Sequence, residues 1–155
     1  MAIDEVLFRT TMGHFASGVT VVTCRSGEEL FGMTVASFAS LSLRPPLILV
    51  CIETSVRTHD AIISAGEFGV NILHESQEEA SRRFASKSSN RFEGVALRSG
   101  QGIPLLEGAL ASIACRLLDH FPGGDHSIFV GEVTEAFHGE GNPLLYFRSG
   151  YRELK

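Results

Sequence analysis

Gly32-Met33-Thr34-Val35-Ala36-Ser37-Phe38-Ala39-Ser40-Leu41-Ser42-Leu43-Arg44-Pro45-Pro46-Leu47-Ile48-Leu49-Val50-Cys51-Ile52 couples a small, hydroxyl-bearing segment to a double proline and then to an almost unbroken apolar run. Small residues leave backbone N–H and C=O groups free to bond the edge of a flat aromatic ligand, while the apolar run reads as a buried strand. Strand alternation alone allows a second reading. In it Thr34, Ser37, Ser40 and Ser42 are surface hydroxyls between buried Val35, Phe38 and Leu41.

Upstream, Val19 to Cys24 is β-branched and passes through Arg25-Ser26-Gly27-Glu28-Glu29 into Leu30 to Val35, which predicts a hairpin. Before it, Ile3, Leu7, Phe8, Met12 and Phe15 suit one face of a helix over Asp4 to Ser17, ended by Gly18. Downstream, Leu47 to Glu53 reads as a strand, and Ser55 is placed to cap a helix from Val56 to Ser64, with Gly66 as its left-handed end. Phe68 to Leu73 returns as a strand. Ser76 and Glu79 match a capping box for a helix to about Ser86, and loops follow through Gly94 and over 100–104. Ala109 to Leu118, His126 to Phe137 and Leu144 to Phe147 are further strands, the first two parted by the turn Phe121-Pro122-Gly123-Gly124-Asp125. Many strands with a few short helices predict a mainly β fold, an antiparallel barrel with helical additions.

The chain has 155 residues, 44% hydrophobic and 20% charged, without linker, repeat or low-complexity tract, so residues 1–155 read as one domain. A net charge of −5 with no basic run argues against nucleic acid as a partner. No apolar stretch reaches the ~18 residues of a membrane span, and acids stand where a secretory signal has basic residues, so a cytoplasmic protein is expected. Cys24, Cys51 and Cys115 are odd in number and lie in apolar segments, as expected of buried structural thiols.

Glu53-Thr54-Ser55-Val56-Arg57-Thr58 joins a buried strand to a helix start, where free N–H groups, two hydroxyls and a guanidinium suit a phosphate. Ser55 as a plain cap and Arg57 as a solvated charge is the alternative. No HExxH, Cys/His cluster, GxSxG, Walker loop or GxGxxG is present, so no metal site and no acid–base or nucleophilic dyad is expected. His126 after Asp125 can point into a pocket or be a plain turn histidine, and Tyr146, Arg148 and Tyr151 near the end can either meet a nucleotide or close the barrel.

Taken together, Phe15 to Thr23, Gly32 to Ile52, Phe68 to Leu73, Pro104 to Ala111, Gly124-Asp125-His126-Ser127-Ile128-Phe129-Val130-Gly131-Glu132-Val133 and Pro143 to Arg148 resemble the flavin reductase-like family over nearly the whole chain. The resemblance implies a Greek-key split β-barrel of the FMN-binding type and a homodimer. It implies NAD(P)H:flavin oxidoreductase activity, with hydride passing from NADH or NADPH to N5 of FMN or FAD and the reduced flavin serving a separate two-component monooxygenase. A non-catalytic flavin-binding module on the same barrel is the alternative. By position it puts Met33, Thr34, Val35, Ala36 and Ser37 along the flavin ring, with Cys51, Ile52, Glu53 and Thr54 lining the pocket. Ser55, Arg57 and Thr58 fall near the phosphate, Phe84 and Arg91 near the flavin, and His126, Arg148 and Tyr151 where the nicotinamide nucleotide is received.

Overall fold

A computed structural model describes residues 2–98 and 102–155. Among the described residues, ten strands form two antiparallel sheets. In the larger, β2 (Thr20–Ser26) and β3 (Glu29–Val35) form the expected hairpin, turning at Gly27 with φ +62°. That left-handed conformation favours glycine. β4 (Phe38–Leu43) and β5 (Pro46–Glu53) form a second hairpin, β6 (Glu67–Ile72) pairs with β2, and the long strands β7 (Ala111–Gly123) and β8 (His126–His138) turn at Gly124, φ +69°. Both long strands run further than their sequence pattern predicts. A small sheet joins β1 (Ser17–Gly18), β9 (Leu145–Phe147) and β10 (Gly150–Arg152).

The larger sheet has the order β3-β2-β6-β7-β8-β5-β4. Its two edge strands are consecutive in the chain, linked only by Ala36 and Ser37. Three Cα–Cα steps span at most about 11 Å, so the sheet must curl until its edges approach. Among the described residues no ladder joins β3 to β4. Inside the curl lies a core that includes Val22, Cys24, Val50, Ile52, Ile62, Phe68, Cys115 and Phe129. A second cluster, with Val21, Leu73, Phe84, Leu106 and Leu144, covers the opposite face of β2. Burial pushes the Cys24 and Cys115 thiols up to about 12, so both stay protonated and serve as small apolar groups.

Packing is tight where β8 crosses Phe68: a Cβ on Gly131 would sit 2.7 Å from that ring and 2.8 Å from the Cys115 Cβ. Gly131→Ala is therefore expected to lower stability by about 1–3 kcal/mol, read as an earlier urea midpoint at unchanged slope.

Three helix expectations are corrected. Helix α1 (Glu5–Met12) ends at Gly13, not Gly18, because Ser17 and Gly18 are taken into the ladder with Tyr146 and Leu145. None of its residues is buried, and its apolar side chains stay half or more exposed among the described residues. Helix α2 (Arg57–Ala65) has Val56 at its N-cap without a side-chain bond, and the Ser55 hydroxyl donates instead to Glu53 at 2.6 Å. Gly66 ends it in the left-handed conformation, as expected. Before α3 (Glu78–Ala85), a 3-10 turn over Glu75–Gln77 carries the capping box on His74 and Gln77 instead of Ser76 and Glu79. His74 Nδ1 accepts from the Ser76 N–H, and Gln77 Oε1 accepts from the His74 N–H. The loop expected over 100–104 begins outside the described residues. No helix among the described residues is long and apolar enough to cross a membrane.

Candidate functional site

The end of β5 is where most of the expected positions meet. Register sets Phe38 opposite Val50 on one side of β5, and Ile128, Ser127 and His126 opposite Cys51, Ile52 and Glu53 on the other. The Ser37 carbonyl accepts from the Cys51 N–H at 3.1 Å, and the Ser37 hydroxyl donates to the Cys51 carbonyl at 3.0 Å. Thr54 donates through its N–H (3.0 Å) and its hydroxyl (3.2 Å) to the Asp125 carbonyl. The link Ala36-Ser37, the segment Cys51 to Thr54 and His126 are thus fixed to one another by backbone bonds.

Hydroxyl alternation does not describe β4, since Leu41 is exposed beside Ser40 while Val35 is buried. Thr34 is engaged elsewhere, its hydroxyl donating to the Ser81 carbonyl on α3 at 2.6 Å. The Ser81 hydroxyl in turn bonds the Tyr151 hydroxyl at 2.7 Å. Ser81, fully buried, therefore ties β3 to the C-terminal hairpin.

From Thr54 the chain runs directly into a cleft of about 380 Å³ between the start of β3, the start of α2 and the loop after α3. Ser55, Arg57, Thr58, Lys87 and Arg91 line it, with Glu29 the sole carboxylate among its described lining residues. Arg91 NH1 donates to the Gly32 carbonyl at 2.8 Å, and its Nε is the one buried side-chain polar atom without a partner among the described residues. Burial pulls its guanidinium below the ordinary arginine range. An anion in the cleft would pair with the guanidinium and offset that burial.

Gly32 makes this geometry possible. A Cβ there would lie 2.9 Å from both Phe84 and Phe92, whose rings pack edge to face with centroids 5.0 Å apart. Phe84, 1% exposed, supports the cleft from behind and does not line it.

His59 belongs to none of the motifs singled out in the sequence. It stands buried between α2 and β8, its Nε2 2.8 Å from the Ser127 hydroxyl and its Nδ1 2.8 Å from Asp60, with its ring edge-on to Phe129. It couples the helix that opens at the cleft to the strand that carries His126. His126 itself bonds through Nδ1 to Asp125 at 2.6 Å, which holds the Asp125 carboxyl below its usual range.

Arg148 and Tyr151 line other hollows. Arg148, at φ +49°, lies with Arg9 and His14 beside the end of α1, and its N–H donates to the Gly13 carbonyl at 2.8 Å. Tyr151 packs on Tyr146 and lies beneath the Arg82 guanidinium at 4.8 Å. Lys87, Glu29 and Ser81 escaped sequence reading because they come from separate loops and helices that only the fold brings together.

A family model for the flavin reductase-like domain matches residues 12–155. The chain is 46% identical to the reductase component of 4-hydroxyphenylacetate 3-monooxygenase from Thermus thermophilus, over 95% of both chains. It is 43% identical to the reductase component of a 4-nitrophenol 4-monooxygenase/4-nitrocatechol 2-monooxygenase from Rhodococcus opacus, over 96% of this chain and 80% of that one. Among solved structures, the NADH:FAD oxidoreductase of Streptomyces globisporus, in complex with NAD and FAD fragments, superposes with a TM-score of 0.92 at 38% identity, covering 98% of this chain and 93% of the other.

Proposed function

Because the chain belongs to the flavin reductase-like family, we propose that the end of β5 seats a flavin ring, that the adjoining cleft takes its phosphate, and that the curled sheet is the split barrel of the FMN-binding type. The protein is an NAD(P)H:flavin oxidoreductase that supplies reduced flavin to a separate monooxygenase. The single observation that carries the site assignment is the cationic cleft at the end of β5, lined by Ser55, Arg57, Thr58, Lys87 and Arg91.

When bound, FMN or FAD accepts at N5 the hydride that NADH or NADPH donates. The chain's own contribution is orientation, which is the chief requirement of a reaction whose reactive bonds belong to the cofactors. Met33 to Ser37 and Cys51 to Thr54 offer small residues and backbone groups along one edge. Ser55, Arg57, Thr58 and Arg91 hold the phosphate end, with Phe84 buttressing Gly32 from behind. His126 stands at the start of β8, where a nicotinamide can approach, whereas Arg148 and Tyr151 line separate hollows. No side chain is required to move a proton in the hydride step.

The exposed apolar face of α1, with Val6 71% and Leu7 55% exposed, and the exposed Leu43 of β4 support a homodimer. The cytoplasm is the compartment in which we place it.

Steady-state oxidation of NADH and NADPH with FMN, FAD and riboflavin tests the activity. Turnover well above the free-flavin background with at least one pairing is expected, and background rates throughout would sink the assignment. Arg57→Ala is expected to weaken FMN binding roughly 3- to 10-fold while leaving the melting temperature nearly unchanged, because the exposed ion pair it makes with Glu29 adds little to stability. Titration by flavin fluorescence beside a thermal melt checks both halves.

A further inference from the structure

We propose that Glu29 is an internal competitor for the flavin phosphate, set against Arg57 so that phosphorylated flavin is held loosely enough to leave. The inference rests on the reading of the cleft as the phosphate seat.

Both Glu29 carboxylate oxygens accept from the same nitrogen, Arg57 NH2, each at 2.9 Å. That pair joins the first residue of β3 to the first residue of α2, and both residues line the cleft. Phe31 lies under the guanidinium, 5.1 Å from its carbon, and limits where Arg57 can swing. A phosphate entering toward Ser55 and Thr58 must therefore share or displace a carboxylate already on that nitrogen, and Glu29 is a like charge to the incoming anion. The pair is 74% and 55% exposed on its two sides, so water screens it and displacement costs little. Lys87 and Arg91 also line the cleft and add positive charge to the phosphate seat that Arg57 shares with Glu29. Binding is permitted, and its strength is reduced by an acid whose position in the cleft has no stabilising role toward the ligand. A reductase that hands its product to another protein needs a short residence time, and most changes in affinity act through the off-rate.

The test compares the purified wild-type protein with Glu29→Gln and Glu29→Ala, titrated with FMN and with riboflavin, which lacks the phosphate. Removal of the acid is expected to lower the FMN dissociation constant roughly two- to five-fold, the ratio to which an exposed pair of this kind corresponds. FMN release in a stopped-flow chase should slow by the same factor, and riboflavin affinity should not move. Unchanged or weakened FMN binding in both variants, at wild-type melting temperature, overturns the proposal: weakened binding would mean that Glu29 positions Arg57 for the ligand. If the wild-type protein binds FMN no better than riboflavin and Arg57→Ala changes neither, the phosphate seat itself is wrong and the inference falls with it.

Discussion

Replacing Arg91 with alanine is expected to raise the FMN dissociation constant roughly 10- to 100-fold, the loss corresponding to one charge-assisted bond in a partly dry site. Arg91 differs from Arg57 in two respects that make its effect larger. It forms no ion pair among the described residues, and its Nε is buried without an acceptor, so the guanidinium has carried its desolvation cost before any ligand arrives. Its NH1 is anchored on the Gly32 carbonyl, which removes much of the rotamer entropy that binding would otherwise cost. Arg91→Lys keeps the charge but loses the planar fork and is expected to recover only part of the affinity. Riboflavin should be affected much less than FMN. Titration of the three proteins with both ligands decides it, and wild-type FMN affinity in Arg91→Ala would remove Arg91 from the site.

The largest stability effect is expected at Asn71, which is fully buried in β6. Its Nδ2 donates to the Val21 carbonyl at 2.9 Å and to the Thr23 hydroxyl at 3.2 Å. Its Oδ1 accepts from the Leu106 N–H at 2.8 Å and from the Ser112 hydroxyl at 3.1 Å. One amide thus satisfies groups on β2, β7 and the loop before β7. Asn71→Ala strands those partners in an apolar setting and opens a small void, a loss of about 3–4 kcal/mol. For a chain of this size that lowers the melting temperature by on the order of 10 °C. Differential scanning calorimetry or urea unfolding reads it directly, and a loss below about 1 kcal/mol would show that water replaces the amide at little cost.

The hairpins that turn at Gly27 and Gly124 were legible in the sequence because strand-like runs flank turns that require glycine, whereas the β4–β5 hairpin, which turns at Arg44-Pro45 without glycine, was not. Nor was the order of the strands. That β3 and β4 sit on opposite edges of one sheet, two residues apart in the chain, follows from pairings between strands distant in sequence. Helix ends were misplaced where the chain answers to tertiary demands. Gly18 is drawn into a ladder with Leu145, and His74 acts as a cap although histidine is outside the usual capping set.

The candidate site divides along the same line. The segment 51–58 was readable because a buried strand followed at once by a helix start is a local pattern with a local consequence. Ser55 was assigned a cap it does not make, since Glu53 competes for its hydroxyl. Phe84 was placed near the flavin from the resemblance alone, and the fold puts it in the core behind Gly32. The pairing of Glu29 with Arg57, and of Arg91 with Gly32, depends on hairpin and loop positions that no spacing in the sequence encodes.

We propose that this chain acts by orienting a flavin for hydride transfer. Anaerobic mixing of the protein and FMN or FAD with NADH or NADPH, followed at the visible flavin band, tests it most directly. Bleaching is expected to be far faster than in protein-free solution, with one reduced nicotinamide consumed per flavin and a slower rate when the transferred hydrogen is deuterium. Bleaching at the protein-free rate with every pairing would contradict it.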